Sequence, residues 1–327
     1  MKKHKVIYYN MNQTLDYENQ LLEEWNIKDI ELVEIKNNKK KLKAEYIADA
    51  DGIMLDYDPV PRDLMQQLPN CKIIALQSIG YNQIDIEAAT DNNTCVTNIP
   101  GFCVEEVALH TIGLIIDLVR KISFYDRSVR NGYWDPFLGE KTYRMTGKTI
   151  GLVFFGGIPQ AMMPMLKALK LNILVYAPRN TKEFLEKWGA IKVETLEKLM
   201  EKSDFISIHT PLLPETVGLI SEEQIKLMKP TAFLINTSRG TIVDEKALIK
   251  ALKEKRIAGA GLDVIEDEEN HNSELLKLEN VVITPHAGFI SEDSLYEGRR
   301  RALEQVVMRL SKGILPKHSV NKNCKII

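Results

Sequence analysis

Short apolar runs, each ending in a cluster of polar groups and separated from the next by a longer amphipathic stretch, recur along this chain. Strands alternating with helical patterns mark a parallel α/β architecture. Val6-Ile7-Tyr8-Tyr9, Gly52-Ile53-Met54-Leu55 and Lys72-Ile73-Ile74-Ala75-Leu76 read as strands of a first unit, with helices at residues 15–22 and 62–68 between them. A second series begins at Thr149, with strands at residues 150–154, 172–176, 205–208, 232–235, 258–262 and 281–283. Six strands are the number a doubly wound dinucleotide-binding fold uses. Residues 104–122 hold Val107, Ile112, Ile115, Ile116 and Val119 at helical spacing, a helix long enough to connect two domains. A last amphipathic helix is expected from about Glu292 to Leu310.

Three of the strand ends are chemically distinctive. Phe233-Leu234-Ile235 leads into Asn236-Thr237-Ser238-Arg239-Gly240. The run at 258–262 leads into Asp263 and on to Glu268, and Val281-Val282-Ile283 leads into Thr284-Pro285-His286-Ala287-Gly288. Ligands of open α/β sheets bind beyond the carboxyl ends of the strands. An arginine, a carboxylate and a histidine are therefore expected in one crevice. An imidazole exchanges protons near neutral pH, and a carboxylate beside it favours its charged form. A guanidinium fork fits a carboxylate. A 2-oxo acid offers one carbonyl to protonate and one carboxylate to hold, so the trio suits its reduction once hydride is supplied.

Composition narrows the alternatives. At 327 residues, two domains are expected, and 44% hydrophobic with 27% charged residues is ordinary for a globular chain. A net charge of −2 leaves no basic footprint for nucleic acid. The one basic run, Lys36-Asn37-Asn38-Lys39-Lys40-Lys41-Leu42-Lys43, reads as a solvated loop and helix start. Cys71, Cys95, Cys103 and Cys324 have no metal-like spacing, so free thiols in a reducing compartment and no metal are expected. The charged N-terminus turns into a short strand without a signal-like apolar region, and no apolar run reaches membrane-spanning length. The cytoplasm is the expected location.

Further segments link these features. Ser78-Ile79-Gly80-Tyr81-Asn82-Gln83-Ile84-Asp85, Asn98-Ile99-Pro100-Gly101, Val107-Ala108-Leu109-His110 and His209-Thr210-Pro211-Leu212, together with the three strand ends, resemble the D-isomer-specific 2-hydroxyacid dehydrogenases over nearly the whole chain. The family's catalytic Arg and Glu lie 29 positions apart, and 268 − 239 gives 29 here. Pro285-His286-Ala287-Gly288-Phe289 is most similar to the branch that includes the C-terminal-binding protein co-repressors. The resemblance implies two doubly wound domains: a Rossmann-type cofactor domain at 101–289, inserted in a smaller flavodoxin-like substrate domain at 1–100 and 290–327. It implies hydride transfer between a nicotinamide cofactor and a 2-oxo acid/D-2-hydroxy acid pair. Arg239, Glu268 and His286 would be catalytic, with His286 as proton donor in reduction. The rival reading is a nucleotide-sensing regulatory protein of co-repressor type.

The same resemblance assigns the binding groups. The family's Gly-x-Gly-x-x-Gly turn falls on Phe154-Phe155-Gly156-Gly157-Ile158-Pro159. Only Gly156 stands in register, Pro159 replaces the third glycine, and Phe154 replaces the glycine of the tight turn. Pro164 inside the following helix predicts a short or kinked helix. NAD-specific members place an acidic residue where Ala177 stands; Arg179, Asn180 and Thr181 follow here, which favours NADP(H) over NAD(H). Thr210, Thr237, Ser238, Asp263 and Gly288 would complete the nicotinamide side, with Asp263 orienting its amide. The Ser78-Ile79-Gly80 backbone would hold the substrate carboxylate, and Tyr57 and Phe289 would border its side chain. His110 reads as structural. A homodimer acting on a small acid is the expected assembly.

Overall fold

The structure is a computed structural model that describes residues 3–9, 14–36, 42–139, 142–269 and 272–324. Most of the basic run, at 37–41, lies outside the described residues, as do Met1 and Lys2. The chain divides into two units, Met1–Phe102 with Ser291–Ile327, and Cys103–Ile290.

The first unit has five parallel strands: β1 (His4–Tyr9), β2 (Ile30–Ile35), β3 (Gly52–Leu55), β4 (Ile73–Leu76) and β5 (Cys95–Thr97). They lie in the order β2-β1-β3-β4-β5, the flavodoxin-like arrangement. Strand side chains alternate between the faces. Ile7, Ile53, Leu55, Ile74 and Leu76 meet Ile47, Leu64, Met65 and Ala88 from short helices. Val6, Tyr8, Met54, Ile73 and Ala75 meet Leu303, Val306, Val307 and Leu310 of the helix Glu292–Leu310. That helix starts where expected, because Ser291 caps it by accepting the Ser294 N–H at 2.9 Å. A buried ion pair ties it to the helix Asp16–Glu24: Arg299 donates Nε to Glu18 Oε1 at 2.6 Å and Nη2 to Oε2 at 2.5 Å. β2 and β5 were not expected from the sequence. β2 is a half-exposed edge strand broken by Glu31 and Glu34, and β5 has only three residues.

The second unit has seven parallel strands: β6 (Thr149–Val153), β7 (Asn172–Tyr176), β8 (Ile191–Lys192), β9 (Phe205–Ile208), β10 (Phe233–Asn236), β11 (Gly259–Leu262) and β12 (Val281–Ile283). The order β12-β11-β10-β9-β6-β7-β8 reverses direction between β6 and β9, the switch point where doubly wound sheets bind ligands. The seventh strand, two-residue β8, is too short for any periodicity. The helix Val104–Arg120 covers this sheet, with Ala108, Ile112, Ile115 and Val119 against Ile150, Leu152, Ile173 and Ile235. Gly261 allows its close approach, since a Cβ there would lie 3.1 Å from Leu118. The single helix expected to 122 instead stops at Arg120: Lys121 is left-handed (φ +54°), and a second helix, Ile122–Arg130, follows. Pro164 does not shorten its helix, which runs over 12 residues from Gly157 to Ala168, anchored by buried Met162, Met163 and Leu166. Among the described residues no helix is long and apolar enough to cross a membrane.

Candidate active site

The ends of β10, β11 and β12 adjoin in one row. Asn236 pairs with Leu262, and Leu262 with Ile283. Neighbouring strands lie about 4.8 Å apart, so the three loops that follow emerge side by side. Backbone bonds extend the row past the strands: Asp263 N–H donates to Asn236 O at 2.9 Å, Thr284 N–H to Leu262 O at 2.9 Å, and His286 N–H to Asp263 O at 2.8 Å.

Buried Asn236 folds the first loop. Its Oδ1 accepts the Ser238 N–H at 3.0 Å and hydroxyl at 2.8 Å, and its Nδ2 donates to Arg239 O at 2.9 Å. Thr237 shares a 2.9 Å hydroxyl contact with Thr111. Arg239 is half-buried and donates Nη1 to Ser238 O at 2.7 Å. Among the described residues it forms no ion pair, so its fork is not consumed by a structural carboxylate.

The other two loops bring a carboxylate to an imidazole. Glu268 Oε2 lies 2.9 Å from His286 Nδ1, and their side chains are 42% and 25% exposed, so the pair opens to solvent. An ionised carboxylate only accepts, so the hydrogen of this contact sits on Nδ1. The Phe289 ring stands edge-on to the imidazole at 6.2 Å. His286 holds the left-handed backbone conformation (φ +53°), which is costly for a residue with a Cβ.

Asp263 clamps that conformation. Its Oδ1 accepts the Thr284 hydroxyl at 2.6 Å and the Ala287 N–H at 2.9 Å, and Oδ2 accepts the Gly288 N–H at 2.8 Å. His110 Nε2 adds contacts to Thr284 Oγ1 at 2.8 Å and to Asp263 Oδ1 at 3.4 Å. Burial alone would raise the Asp263 pKa, but the hydrogen bonds from His110, Thr284, Gly288 and Ala287 outweigh it and hold the carboxyl below its ordinary value. The sequence motif hid this arrangement, because three of the donors belong to the histidine's own loop and His110 lies 174 residues before Thr284. Another histidine of a strand end, His209, is pushed down to about 3 by burial of its ring and bonds Ser207 at 2.8 Å. It is neutral near pH 7 and unsuited to donating protons there.

The turn after β6 keeps the backbone of a glycine turn without its first glycine. Phe154 has φ +71°, donates its N–H to Tyr176 O at 2.7 Å, and sets its ring edge-on to Tyr176 at 6.4 Å. Gly156 is the N-cap of the helix Gly157–Ala168, and a Cβ on it would meet nothing within 4 Å. That opening, before the unpaired N–H groups of a helix start, fits a pyrophosphate. Gly157 and Ile158 supply the first two helical positions, and Pro159 removes the N–H of the third. At the end of β7, Ala177 is buried and Arg179 is exposed. Lys192 Nζ donates to Asn180 O at 2.8 Å, and Thr181 caps the next helix. Thr210 is buried at the end of β9, with its hydroxyl on Pro211 O at 3.2 Å.

The first unit, described by itself, presents the loop after β4. Ser78 is 1% exposed and donates its hydroxyl to Gly80 O at 2.9 Å, which folds the loop on itself. Ile79 is exposed at its tip, and Tyr57 is exposed after β3.

Strand order, glycine-turn geometry and this set of loops define a doubly wound, dinucleotide-binding oxidoreductase. Residues 112–288 match the D-isomer-specific 2-hydroxyacid dehydrogenase NAD-binding domain. The chain belongs to that family and is an oxidoreductase. A glyoxylate reductase of Thermococcus litoralis is 42% identical over 289 residues, covering 85% of this chain and 86% of that protein. A D-lactate dehydrogenase from Aquifex aeolicus, solved with NAD and lactic acid, superposes with a TM-score of 0.81 at 28% identity, covering 94% of this chain and 96% of that one. An acyclic imino acid reductase solved with NADPH and D-Arg superposes with a TM-score of 0.82 at 27% identity, covering 97% and 99%.

Proposed function

We propose that this protein reduces a small 2-oxo acid to the D-2-hydroxy acid with NADPH in preference to NADH. The observation that carries this reading is the 2.9 Å His286–Glu268 pair on strand ends that adjoin the one before Arg239, an arginine with no ion-pair partner among the described residues. Arg239 clamps the substrate carboxylate and polarises the ketone. His286 gives its Nε2 proton to the carbonyl oxygen, while Glu268 on Nδ1 stabilises the charged ring and fixes its tautomer. A nicotinamide held by these loops would supply hydride. Gly156, Gly157 and Ile158 receive the pyrophosphate; Thr210, Thr237, Ser238, Asp263 and Gly288 form the nicotinamide side. Ser78-Ile79-Gly80 receives the substrate carboxylate, and Tyr57 and Phe289 border the remaining substituent. The cytoplasm and a homodimer are part of the same proposal.

The NADPH preference rests on the β7 end. No carboxylate stands at Ala177 to bind a ribose hydroxyl or repel a 2′-phosphate, and Arg179 is exposed two residues on. A charge-assisted bond contributes about 1.5–3 kcal/mol, so Arg179→Ala is expected to raise the KM for NADPH about 10-fold or more and leave that for NADH nearly unchanged. Comparing kcat/KM for both cofactors, with glyoxylate first among a panel of 2-oxo acids, tests the reading. A clear NADH preference in the parent enzyme contradicts it.

Phe154 in place of glycine favours one alternative, a nucleotide sensor of co-repressor type. NADPH fluorescence titration followed by the same panel separates the two. Binding with turnover supports the reductase, and binding without turnover supports the sensor.

A further inference from the structure

Glu268 belongs to the run Glu266-Asp267-Glu268-Glu269, four like charges in a loop after β11. Such a run repels itself and favours solvation over a fixed shape. Something has to hold it where one carboxylate meets Nδ1 of His286 at 2.9 Å. The hold comes from a further acidic residue, outside the run.

Glu245 is the first residue of the helix Glu245–Lys253. Its Oε2 accepts the backbone N–H of Glu266 at 2.8 Å, and its Oε1 accepts the hydroxyl of Ser273 at 2.5 Å. One carboxylate thus pins both flanks of the loop, with Glu268 between them. The helix does not need this side chain as a cap, because Asp244 already accepts the Ala247 N–H at 3.0 Å. The contact continues to the arginine. A Cβ on Gly240 would lie 2.0 Å from Ile265 O and 2.6 Å from Glu266 N, so the backbone next to Arg239 rests directly on the backbone next to Glu266.

We propose that Glu245 is a positioning residue: it braces the acidic loop against the Arg239 turn, so that Glu268 stays on His286 during proton transfer. The proposal rests on the reading that Glu268 and His286 form the proton-transfer pair. Losing a charged acceptor lets a braced loop open more often. Glu245→Ala is therefore expected to speed amide hydrogen exchange of residues 264–269 and 272–273 about 10-fold in the full chain, leaving the strands β10 and β11 protected.

The kinetic test uses glyoxylate with NADPH and NADH, alongside thermal melting to confirm folding. Glu245→Ala is expected to lower kcat about 10-fold with little change in the KM of either cofactor. Glu245→Gln, which keeps an acceptor for the Glu266 N–H, is expected to recover most of that rate. In a Glu268→Gln background, Glu245→Ala is expected to cost little more, because residues acting through one interaction are not additive. Unchanged exchange at 264–269 and 272–273, unchanged kcat, or full additivity with Glu268→Gln overturns the positioning role. A Glu268→Gln enzyme of undiminished kcat overturns instead the reading beneath it. If no 2-oxo acid in the panel is turned over, that reading falls, and the exchange measurement still decides whether Glu245 braces the loop.

Discussion

Two residues that carry a Cβ hold left-handed backbone beside the site, Phe154 at φ +71° and His286 at φ +53°. The conformation costs about 1–2 kcal/mol for such residues. At His286 the Asp263 clamp supplies the compensation. At Phe154 the compensation is smaller, one backbone bond and an aromatic edge on Tyr176. Phe154→Gly is expected to keep the turn and relieve about 1 kcal/mol of strain against the packing lost. Phe154→Val keeps the strain and adds β-branching, so it should unfold at lower urea than the glycine variant. Equal midpoints would mean that the backbone at 154 is not strained. Legibility at this scale was uneven. Arg239 and His286 stand out in the sequence because each follows an apolar run. Glu268 does not, since its neighbours are also acidic and only the spacing to Arg239 separates it. The work of Asp263 and His110 on the 284–288 loop was not legible, because it depends on backbone donors of that loop and on a contact between His110 and Thr284, 174 residues apart.

At the scale of elements, most strands were readable, whereas β2, β5 and β8 were not, although β5 is buried throughout. β3, β4 and β9 are fully buried apolar runs, whereas β2 alternates with glutamates at an edge and β5 and β8 are three and two residues long. Helix ends were set by local chemistry: Ser291 fixed one start, and left-handed Lys121 ended a helix whose apolar spacing continues past it. The pairing of helices was invisible in the sequence. Glu18 and Arg299 lie 281 residues apart, both buried, and Arg299 also reaches Thr14 O at 2.9 Å and lies over the Tyr17 ring at 5.2 Å. Removing one member of a buried pair leaves the other uncompensated. Glu18→Gln is expected to cost about 3–5 kcal/mol of the first unit's stability by urea unfolding. A loss below about 1 kcal/mol would show that the Thr14 carbonyl and the ring suffice for Arg299.

For the whole molecule, the decisive feature is a chain that leaves its first unit at Phe102 and returns to it at Ser291. Periodicity cannot show a return, because the helix Glu292–Leu310 reads like any other amphipathic segment; the family resemblance implied it. The second unit gathers the Arg239, Glu268 and His286 loops on adjacent strand ends, where proton transfer through His286 is proposed. The most direct measurement is kcat for 2-oxo acid reduction by His286→Ala, with NADPH binding followed by fluorescence. A fall of about 10²–10⁴-fold in kcat is expected, with cofactor affinity retained. A variant that binds NADPH and reduces the acid at the parent rate would contradict it.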